Sequence, residues 1–91
     1  MAKLEKGTQI IYIPTHAEGD KNHPDCENGF VTSVQGDSAF CRYWSKQDST
    51  KLRTKANSEL TSIRDLVVWE TTPKHLVNDA LVRIERPKKK H

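Results

Sequence analysis

"GFVTSVQGDSAFCRYWS", residues Gly29 to Ser45, decides the fold class. Its first half alternates Phe30, Thr32 and Val34 against Val31, Ser33 and Gln35. Its second half sets Phe40, Arg42 and Trp44 on one face and Ala39, Cys41 and Tyr43 on the other. Alternation at a period of two marks half-buried strands, and Gly36-Asp37 between the runs is a tight turn. The stretch reads as a β-hairpin.

Before the hairpin, "TQIIYI" (Thr8 to Ile13) is β-branched and aromatic and predicts a first strand, which Pro14 ends. Beyond the hairpin, Ser45 to Lys51 is a polar loop and Leu52 to Ala56 a short fourth strand. Asn57 to Asp65 reads as a turn, or a single turn of tight helix. "LVVWE" (Leu66 to Glu70) predicts a fifth strand, apolar on both sides and therefore central. Five short, mostly antiparallel strands suggest a small, partly open barrel.

The period changes after residue 70. Leu76, Val77, Ala80, Leu81 and Ile84 fall on one helical face. Thr72 suits the N-cap, Pro73 the first helical position, and Pro87 ends the segment. The fold class is thus mainly β (α+β). Residues 1–70 form the barrel with a long acidic loop at 14–28, 71–86 a C-terminal amphipathic helix, and 87–91 a basic tail. The apolar stripe must bury against the open end of the barrel or against a partner chain.

Ninety-one residues make one small domain with little room for an enclosed cleft. Only 34% of them are hydrophobic, while 15 basic and 12 acidic side chains leave a net charge of +3. That balance fits a folded, soluble domain rather than a disordered tail. No apolar run is long enough for a transmembrane helix, and "MAKLEKGTQ" lacks a signal-peptide core, so a cytoplasmic location without membrane association is expected. Cys26 and Cys41 should then be free thiols or metal ligands. Charge is unevenly spread. Glu18, Asp20, Asp25 and Glu27 face a single Lys21 in the loop, whereas Arg83, Arg86, Lys88, Lys89 and Lys90 crowd the C-terminus.

The loop joining the first two strands, "PTHAEGDKNHPDCEN", is built to hold a shape. Gly19 and Gly29 permit unusual backbone angles, and Asp20, Asp25 and Asn28 suit Asx turns. His23-Pro24-Asp25 stiffens its middle. Long loops of this kind often present a recognition surface, with a purely structural Ω-loop as the alternative.

The pattern Y-x-P-x-H-A-x-G-D-x-x-H-x-D-C-E-x-G-x-V runs through Tyr12, Pro14, His16, Ala17, Gly19, Asp20, His23, Asp25, Cys26, Glu27, Gly29 and Val31. It resembles a group of short phage-encoded proteins of unknown function. The strand sequence around it looks like small SH3-like barrels. The resemblance implies a five-stranded SH3-like barrel, a phage or prophage origin and action in a host cytoplasm. It carries no established activity or site. The C-terminal helix and lysine tail depart from the pattern.

The residues offer the parts of three chemistries. His16, His23 and Cys26, with Cys41 from the hairpin, supply zinc-type donors, but their spacing matches no standard finger. Histidines hydrogen-bonded within a structured loop are the plainer reading, so no cofactor is expected, with zinc held in reserve. Cys26 with a histidine and Asp20 or Asp25 names the parts of a thiol nucleophile, yet residue types alone make no triad. No nucleophile elbow, Walker loop or dinucleotide fingerprint appears, so the chain is not expected to be an enzyme. Nucleic acid could be held by an SH3-like or OB-like face carrying Arg42, Trp44, Arg53 and Lys55, with Lys88, Lys89 and Lys90 adding phosphate contacts.

The expected function is a non-enzymatic binding module, with nucleic-acid binding as its alternative. It takes a host protein, such as a defence or nucleic-acid-handling factor, on His16, Glu18, Asp20, His23, Asp25 and Glu27. Oligomeric state is left open by the sequence.

Overall fold

The computed structural model describes residues 4–48, 50–53 and 59–85. The strands are β1 (Gln9–Tyr12), β2 (Glu27–Gln35), β3 (Ser38–Tyr43), β4 (Glu59–Ser62) and β5 (Leu66–Val68), followed by helix α1 (Lys74–Glu85). They form one antiparallel sheet in the order β4-β3-β2-β1-β5. The outermost strands, β4 and β5, are joined by a single 3-10 turn at Ile63–Asp65. In a flat sheet they would lie about 19 Å apart at ordinary strand spacing. A three-residue 3-10 turn advances only about 6 Å. The sheet must therefore curl, although β4 and β5 do not pair and the barrel stays unclosed.

The predicted hairpin is present. Gln35 pairs with Ser38 across Gly36-Asp37, and Gly36 takes the positive φ of 59° that the turn needs. A register shift between Val31 and Ser33 leaves Thr32 out of the ladder, where its hydroxyl donates to Phe40 O at 3.0 Å. Alternation then divides the core. Ile10, Val31, Ala39, Cys41 and Tyr43 fill one face, with Ile63 and Leu66 packed against them. Phe30 and Trp44 leave on the opposite face and receive Val77, Ala80 and Leu81 of α1. The helix stripe thus buries on its own chain, against the back of β2 and β3 rather than in an open barrel end.

Four expectations need correction. Among the described residues Leu66–Val68 is an edge strand, not a central one; it pairs there with β1 alone, and Val67 and Val68 are exposed. An apolar run on both faces does not require two flanking strands. Glu59–Ser62, expected as part of a turn, is β4, because Ser38 to Cys41 offers it a free edge. Within the anticipated strand Leu52 to Ala56, Leu52 makes one isolated bridge to Trp44. Residues 54–56 of that segment lie outside the described residues, as does the tail at 87–91. The helix begins at Lys74, one residue after Pro73, whose carbonyl accepts from Leu76 N–H at 3.0 Å.

What fixes the chain before that helix is Gln9, a polar side chain on β1. It is 4% exposed. Its Oε1 accepts from Thr71 N–H (3.1 Å) and Thr72 N–H (2.9 Å), and its Nε2 donates to Thr72 O at 2.7 Å. One side chain on β1 therefore satisfies three backbone groups of the segment that launches α1. Gln9→Leu removes all three bonds and should destabilise the fold by about 2 kcal/mol, since the stranded amides lie partly away from water. Urea denaturation checks this. A loss under about 0.5 kcal/mol would mean that water replaces the amide freely.

Candidate functional site

The segment from Ile13 to Cys26 is a chain of consecutive turns. Ala17 N–H donates to Pro14 O, Glu18 to Thr15, Asp20 to Ala17, His23 to Asp20 and Cys26 to His23, all between 2.9 and 3.1 Å. Thr15–Ala17 forms one turn of 3-10 helix. Glu18 and Gly19 follow with φ of 52° and 79°, and Asp20 Oδ1 accepts from Asn22 N–H at 2.9 Å, the Asx turn expected of it. Beneath the loop, Ala17 and Cys26 bury against Ile11, Ile13 and Trp69. Two lysines add contacts: Lys46 Nζ donates to Pro24 O, and Lys21 Nζ lies 4.4 Å from the Trp69 ring centre. The loop is ordered by its own backbone and pinned to the sheet.

Its imidazoles converge on one residue, Asp25. His16 Nε2 donates to Asp25 Oδ2 at 2.7 Å, while Asp25 N–H donates to His23 Nδ1 at 3.0 Å. The two rings meet edge to face, their centres 5.2 Å apart. The His16 hydrogen bond, more than any other contact, holds the Asp25 carboxyl below the usual carboxylate range.

Neither cysteine joins them. Cys26 is 7% exposed and its Sγ donates to Asp20 O at 3.2 Å. Cys41 sits fully buried among Ile10, Val31 and Tyr43 on the far face of the sheet, where burial pushes its thiol up to about 11. Both are free. The anticipated ligand set His16, His23, Cys26 and Cys41 is therefore not assembled. Strand alternation sends Cys41 to one side of the sheet, and the loop's last turn points Cys26 inward. The structure brings together His16, His23 and Asp25 instead.

Beside this cluster lies an open cleft of about 520 Å³ whose walls include Tyr12, Pro14, His16, Asp25, Lys46 and Arg53. Glu27 also faces it. Expected on the displayed surface, Glu27 is instead drawn into β2, and its Oε1 meets Arg53 Nη1 at 2.8 Å. The same guanidinium lies 5.6 Å from the Tyr43 ring centre. His16, Glu18, Asp20 and Asp25 are exposed, and His23 is half-buried.

The face expected to hold nucleic acid is not built as expected. Trp44 is 5% exposed and tilts against Phe30 in the core, so it offers no stacking platform. Arg53 is engaged with Glu27, Arg42 is half-buried, and Lys55 and Lys88 to Lys90 lie outside the described residues. Aromatic residues at a strand end look the same in sequence whether they cap a core or face solvent.

Comparison with family models, with curated proteins and with solved structures finds no match to this chain. No helix among the described residues is long and apolar enough to cross a membrane.

Proposed function

We propose that this protein is a non-enzymatic binding module that takes a basic segment of a partner protein on the 14–26 loop and its adjoining cleft. The observation supporting this is an exposed loop ordered by successive turns, with Glu18, Asp20 and Asp25 outward and Ala17 and Cys26 buried beneath. A surface already ordered loses little conformational entropy on binding. Its carboxylates steer a cationic partner and set its orientation. The Cys26 thiol and the two imidazoles are held by different partners, which argues against a thiol–imidazole nucleophile.

The likeness of the loop to short phage-encoded proteins makes a host protein the partner class, met in the host cytoplasm. Factors that guard or handle nucleic acid suit the role, because they expose basic surfaces. The test alters charge without dismantling the loop. Glu18→Lys with Asp20→Asn replaces two negative charges by one positive and keeps an acceptor for Asn22 N–H. Immobilised protein should retain host-lysate proteins in a salt-sensitive manner, and the double variant should lose them. An identical retained set from both forms would refute the reading.

A further inference from the structure

We infer that His16, His23 and Asp25 form a binding site for a divalent transition-metal ion of the zinc class. The chemistry lies in the donor set: two imidazoles and one carboxylate are the nitrogen and oxygen ligands that zinc accepts. One ligand atom from each lies within 4.8 Å of the other two. His16 Nε2 and Asp25 Oδ2, at 2.7 Å, already stand near the separation that adjacent ligands take around one ion. A tetrahedral ion bound at about 2.1 Å sets its ligands about 3.4 Å apart. Rotation of an exposed imidazole closes the remaining gap, because the backbone carrying it is already fixed by the turns from Pro14 to Cys26.

Glu18 and Asp20 on the same loop favour a cation, whereas Lys46, bonded to Pro24 O beside Asp25, opposes one. Three protein ligands leave at least one coordination position open to water or to a donor from a bound partner. Asp25 serves both readings, but the inference does not depend on partner binding, since the ion needs no partner chain and Glu18 and Asp20, the residues altered to test partner binding, are not ligands.

Binding carries a specific structural consequence. In the metal-free protein His23 Nδ1 accepts from Asp25 N–H. If Nδ1 coordinates, its lone pair is taken; if Nε2 coordinates, the proton must sit on Nδ1. Either way that hydrogen bond breaks.

The test is a titration of the metal-free full chain with zinc chloride, read by calorimetry and by backbone amide spectra. One-to-one saturable binding is expected, with the Asp25 amide resonance among the largest shifts. His16→Ala and Asp25→Asn should each weaken affinity at least about tenfold. Cys26→Ser and His75→Ala should leave it unchanged. Both variants that remove ligands alter exposed residues, so amide spectra of each confirm that the fold is kept. Absence of saturable binding would overturn the inference. So would binding that survives His16→Ala combined with His23→Ala, or an Asp25 amide that zinc leaves unmoved.

Discussion

Phe30→Ala is expected to lower the unfolding free energy by about 3–5 kcal/mol, the range for deleting a fully buried aromatic ring. Small domains have roughly 5 kcal/mol in total to lose, so the variant should sit near its unfolding midpoint at room temperature. The reason lies in where the ring stands. Phe30 is 0% exposed and occupies the seam between sheet and helix, its centre 5.4 Å from that of Trp44. Val77, Ala80 and Leu81 close over the pair. Removing the ring leaves a void that Ala80 is too small to fill, and α1 loses the contact that seats it. Urea denaturation followed by circular dichroism and by tryptophan fluorescence measures the loss. Phe30→Leu should recover much of it, since it keeps most of the apolar volume. A cost under about 1.5 kcal/mol for the alanine variant would contradict the seating of α1 on this face.

Gly29→Ala should be nearly as damaging, for a different reason. A Cβ built at Gly29 would stand 2.1 Å from Arg42 O and 2.9 Å from Cδ1 of Tyr43. The first neighbour is backbone of the paired strand and cannot swing aside. Gly29 pairs with Ile10 on one side and Tyr43 on the other, so the added methyl must push apart the centre of the sheet. About 3 kcal/mol or more is expected, at the upper end of overpacking costs. The positive-φ Gly36 is a useful contrast: its added Cβ meets nothing, and only backbone strain of about 1 kcal/mol opposes Gly36→Ala. Parallel urea melts of the two variants measure the difference. Equal losses would mean that β2 and β3 separate more readily at Gly29 than the register implies.

The role of Gly29 illustrates how a correct residue can be singled out for an incomplete reason. Along the chain it is a glycine suited to turning the loop back. In three dimensions it lies within a strand, at a point where the neighbouring backbone passes too close for a side chain. Glu27 shows the same shift: acidic and next to the loop, it belongs to β2 and spends its charge on Arg53 at 2.8 Å. The candidate cluster was partly visible, because His16, His23 and Asp25 lie within ten residues and local turns bring them together. Soft-donor chemistry, taken from composition, favours the cysteines over the carboxylate. Sulfur's affinity for zinc counts only if the thiol faces the loop, and side-chain direction is not a compositional property.

Sequence alone determined the β-hairpin around Gly36, the helical stripe from Leu76 to Ile84 and the turn-rich character of the loop. Each depends on periodicity or turn chemistry acting over a few residues, so the information is present where the structure forms. Tertiary structure alone decided that β5 is an edge, that residues 59–62 become a strand, that Trp44 faces α1 and that Gln9 holds Thr71 and Thr72 sixty residues away. Those outcomes follow from which surfaces and unpaired backbone groups meet once the sheet curls. Local preference is blind to them, because a strand edge, a buried face or an unsatisfied amide exists only after distant segments have met.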